Sequence, residues 1–109
     1  MKILGKKIDF SFLDADDMKR LEREMKIASA ELKKLDDIDV MSEMLETGCT
    51  IIGKCFDNIF GNGTTSKIFN GKKDFNLYVQ AFKDLVKARK EQEANFGTLV
   101  EELNKEIEE

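Results

Sequence analysis

A chain of 109 residues has the length of one ordinary domain, and no apolar run in it approaches the roughly 18 residues a membrane span requires. Its net charge of −4, from 22 acidic against 18 basic residues, argues against a nucleic-acid partner, because an acidic protein gains nothing from counterion release. Histidine is absent, which removes the commonest general base and the commonest metal ligand, and the 37% charged content suits amphipathic helices with solvated outer faces.

The opening residues MKILGKKIDF have no uninterrupted apolar stretch, so they do not read as a signal peptide. They read as a β-hairpin: Ile3 and Leu4 lead into a turn at Gly5-Lys6, and Ile8, Phe10 and Phe12 then alternate with Asp9 and Ser11. A lone hairpin is marginal in water, so its phenylalanine face is expected to pack on a helix. Asp14 is a suitable N-cap, with Asp16 and Asp17 placed where the helix dipole favours negative charge. From there Met18, Leu21, Met25, Ala28, Leu32 and Leu35 recur at alternating intervals of 3 and 4, a heptad seam that predicts a helix over 15–35.

Asp39 is the candidate cap of a second helix. Its apolar residues come in adjacent pairs (Val40/Met41, Met44/Leu45, Ile51/Ile52, Cys55/Phe56, Ile59/Phe60), and so wide a stripe belongs to the central helix of a bundle. Gly48 continues the same stripe, and Gly48 and Gly53 each cost about 1 kcal/mol relative to alanine inside a helix, which implies a close helix approach or a bend there. Gly61-Asn62-Gly63 ends this helix through left-handed backbone. Thr64 or Thr65 is placed to cap a short helical turn carrying Ile68 and Phe69, stopped by Asn70-Gly71. Asp74 caps the last helix, whose face is Phe75, Tyr78, Val79, Phe82, Leu85 and Val86. Beyond Lys87 the chain is mostly charge with an apolar thread. A single helix from Phe75 to Glu108 would be about 50 Å long, longer than a domain of this size, so either Asn95-Phe96-Gly97-Thr98 breaks it or the tail projects.

The fold class is therefore mainly α: an N-terminal β-hairpin packed on a small helical bundle with a long C-terminal helix. Residues 1–90 form the hairpin and bundle, and residues 91–109 a charged helical arm of the same domain. Proline is absent and no repeat or linker divides the chain.

No catalytic constellation emerges. Cys49 and Cys55 lie six residues apart, about 240° round a helix, so they cannot share a metal and read as small buried apolar residues in a reducing compartment. The stretch Gly61-Asn62-Gly63-Thr64-Thr65-Ser66-Lys67 lacks the residue order of a phosphate loop and follows a helix, not a strand. The aspartate groups 14/16/17 and 36/37/39 lack the alternating ligands and terminal glutamate of a calcium loop. The chain is expected to be non-enzymatic, cytoplasmic and without cofactor or metal.

What remains is protein binding. The candidate contact residues are Phe96, Leu99, Val100, Leu103 and Ile107 on the arm, which has little to pack on inside a monomer, so that a homo-oligomer is one expectation. Met41 and Met44, with Met25, are placed to form an adaptable apolar patch or to fill the core.

The run Ile8-Asp9-Phe10-Ser11-Phe12 into Asp14-Ala15-Asp16-Asp17 resembles small proteins encoded by phages and prophages of Gram-positive bacteria. So does the block from Phe56 to Val86, with Phe56, Phe60, Gly61, Gly63, Thr64, Ile68, Phe69, Gly71, Lys72, Ala81 and Phe82 in matching places. Size and layout are similar to those of siphophage tail assembly chaperones, which coat the hydrophobic tape-measure protein and help recruit tail-tube subunits. That resemblance implies a chaperone that binds amphipathic helices of a tape-measure-like or tail protein. The alternatives are a structural virion or connector component, or a small regulator binding a host protein.

Overall fold

The computed structural model describes residues 1–108. Strands β1 (Lys2–Ile3) and β2 (Lys6–Lys7) pair antiparallel, with Lys2 opposite Lys7 and Ile3 opposite Lys6. The turn is Leu4-Gly5, one residue earlier than expected, with φ of 49° and 77° at its two residues. Two successive positive φ values are what a two-residue hairpin needs, and leucine adopts one here although it carries a Cβ. The Leu4 amide donates to Asp84 Oδ2 at 3.0 Å, which ties the turn to the last helix. The Ile8 amide donates to the Met1 carbonyl at 2.9 Å and ends the pairing. From Ile8 to Phe12 the expected alternation survives as burial and not as a strand: Ile8 and Phe12 are buried, Phe10 half-buried, and none of them lies in a strand.

Helix α1 (Ala15–Leu32) starts at the expected cap, where Asp14 Oδ2 accepts the Asp17 amide at 2.9 Å. Its seam faces inward, with Leu21 and Ala28 buried and Met18, Met25 and Leu32 packed against the core. The helix stops at Leu32, three residues short of the expected end. A tighter 3-10 turn over Lys33–Asp37 follows and keeps Leu35 on the core.

Helix α2 (Met41–Phe60) is the centre of the bundle, burying Gly48, Cys49, Ile51, Ile52, Gly53, Cys55, Phe56 and Ile59. Val40 occupies its cap position in extended backbone and no side chain caps the helix, so Asp39 lies one residue too early for the role expected of it. Both internal glycines serve close approach. A Cβ on Gly48 would lie 2.4 Å from Phe75 Cε1, and one on Gly53 would lie 3.0 Å from Thr65 Cγ2.

Gly61 and Gly63 then turn the chain with φ of 114° and 92°. Helix α3 (Thr64–Phe69) follows, and neither threonine caps it. Asp57 does so from the previous helix, its Oδ1 accepting the Thr65 amide at 2.8 Å, while the Thr64 and Thr65 hydroxyls donate to the carbonyls of Gly61 and Gly53. Left-handed Asn70 and Gly71 stop the helix as expected.

Helix α4 (Phe75–Glu108) begins where Asp74 Oδ1 accepts the Asn76 amide at 3.0 Å. It runs through Gly97 without a break, so the molecule measures 64 × 27 × 20 Å. Phe56 is fully buried, and Phe60, Phe69 and Phe82 surround it. Phe69 also stacks on Tyr78, ring centroids 3.6 Å apart. Helix α2 runs antiparallel to α1, since Arg20 and Glu24 meet Ile59 and Asn58, and parallel to α4, since Gly48 meets Phe75 and Phe56 meets Phe82.

Candidate protein-interaction surface

The parallel course of α2 and α4 decides where the free surface lies. Helix α2 ends at Phe60, the hairpin and the start of α1 cover α4 as far as Gln92, and beyond Phe96 nothing stands beside the helix. At 1.5 Å per residue the uncovered stretch projects by about 18 Å. Its glycine, Gly97, has open space where a Cβ would be.

Along that arm Phe96, Leu99, Val100, Leu103 and Ile107 are all exposed, from 39% at Val100 to 73% at Ile107. Residues eighteen apart on an α-helix are five turns apart and share an azimuth. Phe96, Leu99, Val100 and Leu103 therefore repeat the directions of Tyr78, Ala81, Phe82 and Leu85, of which all but the half-buried Phe82 lie in the core. The arm carries the bundle-facing stripe of its own helix onward into solvent. A run of exposed apolar side chains along one face is the feature of this surface that sets it apart from the rest of the molecule. Leu13, 48% exposed in the turn before α1, lies with Met18 beside Phe96 and extends the stripe back onto the bundle.

Met41 and Met44 lie elsewhere. They occupy the first turn of α2, at the end of the bundle where α4 begins, with Met41 65% exposed and Met44 half-buried. The structure does not join them to the arm, nor to Met25, which packs on the core and accepts a contact from Arg89 Nη1 at 3.8 Å. Their exposed neighbours Val40 and Leu45 form a second, smaller apolar patch that sequence reasoning did not single out. The adjacent-pair pattern hid it, because the same pattern is core three turns later.

The polar groups are structural. Glu24 is buried, with Oε1 accepting from Asn58 Nδ2 at 2.9 Å and Oε2 from Arg23 Nε at 3.2 Å, so its carboxylate joins α1 to α2. Both cysteines are free and buried. Desolvation by burial pushes the Cys55 thiol up to about 12, and nearby Glu24 and Glu31 add to the effect. Burial also raises the Cys49 thiol, so neither is poised as a nucleophile. Among the described residues no three histidine, cysteine, aspartate or glutamate side chains gather where they could hold an ion, and no helix is long and apolar enough to cross a membrane.

No curated protein and no solved structure matches the chain. A family match does run from Leu4 in the hairpin turn to Glu108 at the end of α4, the hairpin, bundle and arm together. With residues 4–108 covered, the chain belongs to the Family of unknown function (DUF6673).

Proposed function

We propose that this protein is a non-enzymatic helper that binds amphipathic helices of a protein partner through its projecting arm. The observation that carries the reading is the exposed stripe of Phe96, Leu99, Val100, Leu103 and Ile107 on a helix whose other half is built into a core. An amphipathic helix laid against such a stripe buries apolar surface on both sides. Glutamates at 101, 102, 106 and 108 flank the stripe and favour a partner with basic residues beside its own apolar face.

The phage resemblance narrows the proposal to a tail assembly chaperone, acting in the host cytoplasm on a tape-measure-like protein and absent from the finished particle. Such a client would present long amphipathic helices that need reversible cover. Co-expression with the tape-measure protein encoded nearby tests this. Co-purification that Leu103→Ser with Phe96→Ser abolishes is the expected result. No retention at micromolar concentration, or stoichiometric presence of the chain in purified virions, would count against it.

A further inference from the structure

Helix α4 contains a second pattern, one that reads the same from either end. Phe75, Val79, Phe82 and Val86 are spaced 4, 3 and 4 residues apart, as are Phe96, Val100, Leu103 and Ile107. Arg89 and Glu93 occupy the two steps between, so the heptad alternation never loses phase. Glu91 is its midpoint: Val86 and Phe96 lie five residues either side of it, and Phe75 and Ile107 sixteen. From this symmetry we infer that the surface α4 offers is completed by a second copy of the chain. The two helices would pack antiparallel about a two-fold axis at Glu91. The inference rests on the reading of the arm as a binding surface, and it names the occupant of that surface in the protein alone.

Three observations fit this occupant. First, the bundle covers only one edge of the near half of the seam: Phe75 and Phe82 pack on α2, and the Val79 and Val86 edge is left to solvent. Val79 and Val86 are half-buried and do not belong to the core, and Val86 lies on an open face of α4 between Lys83, Lys87 and Lys90. Second, charge matches only in the antiparallel sense. The near half carries Lys83, Lys87, Arg89 and Lys90 against Asp84, whereas the arm carries Glu101, Glu102, Glu106 and Glu108 against Lys105. Antiparallel packing sets Lys83 of one protomer level with Leu99 of its partner and within about 3 Å along the axis of Glu101, while parallel packing sets like against like. Third, the geometry closes. With the axis at Glu91 each bundle flanks its partner's arm, the two bundles sit at opposite ends, and Phe96 of one protomer meets Val86 of the other. Such an isologous contact is complete as a dimer and leaves no free end to propagate.

The middle layer sets the register. Arg89 pairs with Glu93 within one helix at 3.1 Å and with Glu22 of α1 at 3.8 Å, and the two-fold would bring the Arg89–Glu93 pair of the second protomer against this cluster. A polar layer in an apolar seam discriminates strongly against slipped pairings. Lys90 meets its own mate beside the axis, with Glu91 of each chain adjoining. A straight helix drifts about 20° per heptad from a seam of this period, so the helices should cross with a left-handed twist.

Sedimentation velocity on the full chain should give twice the 12.5 kDa chain mass. Val100→Glu, on exposed arm that the fold does not use, should return the monomer mass with unchanged far-UV circular dichroism. Lys83→Glu should raise the dimer dissociation constant about tenfold, since two such pairs lie in each dimer, and Glu101→Lys added to it should restore the dimer. For direction, Lys90→Cys should cross-link to its mate under mild oxidation while Asn104→Cys, whose antiparallel neighbour is Asn76, should not. A monomer at micromolar concentration, a dimer indifferent to Val100→Glu, or cross-linking at both cysteines would overturn the proposal. A monomer that still captured the tape-measure protein would remove only this inference. A dimer that failed to capture it would remove only the chaperone reading.

Discussion

Leu85 and Leu103 are the same residue on the same helix, five turns apart and pointing the same way, yet one is fully buried and the other 59% exposed. Tyr78 and Phe96 repeat the contrast: the first ring stacks on Phe69 in the core, the second is 59% exposed. Helix propensity and amphipathic pattern are alike in the two halves of α4. The difference lies in what stands alongside. The near half packs on α2, whose Gly48 and Gly53 let Phe75 and Tyr78 come close, and the far half has outrun every other element. An apolar stripe thus specifies that a helix wants a neighbour, and the rest of the fold decides whether the neighbour is internal.

Mutation can sharpen or break that contrast. The largest effect expected is at Leu85, where alanine should destabilise the fold by about 2–5 kcal/mol, whereas Leu103→Ala should change it by less than about 0.5 kcal/mol. Urea unfolding, at concentrations where the chain is monomeric, reads both; equal losses would mean that the arm packs on its own bundle. Phe82 lies between these extremes, half-buried with its ring 6.4 Å from that of Phe56. Its replacement by alanine should cost about 2 kcal/mol, below the roughly 3–5 kcal/mol of a fully buried phenylalanine. The smallest effect belongs to Gly97→Ala, which should leave the urea midpoint unchanged while strengthening the arm's helix by up to about 1 kcal/mol. Far-UV circular dichroism and amide exchange over 94–108 would register it, and a shift of the global midpoint would show that arm and bundle unfold as one unit.

Much of the architecture was legible before any coordinates, where local chemistry alone decides it. The seam of α1, the Asp14 cap, the glycine stop after Phe60 and the Asp74 start of α4 each rest on residues within a few positions of one another. Two of the misreadings come from a distant partner. Leu4 accepts a left-handed turn where its amide is held by Asp84, and the α3 cap comes from Asp57 while Thr65 bonds back to Gly53. Neither long-range pairing leaves a trace in spacing. At the candidate surface the arm residues were legible because charge surrounds them. Val40, Leu45 and Leu13 were not, since nothing beside them in the chain distinguishes an exposed apolar residue from a core one. The choice between a broken and a continuous α4 was also beyond the sequence, because a glycine in solvent weakens a helix by less than the surrounding residues sustain.

That unbroken run from Phe75 to Glu108 has a consequence in time as well as in space. Amide protons near Leu85 can meet solvent only when the bundle opens, and those beyond Thr98 meet it whenever the end of one solitary helix frays. A single rod thus grades from slow exchange at its buried half to fast exchange at its free end. A molecule that settles on the arm would announce itself first as a slowing beyond Thr98, where the free helix has no other protection.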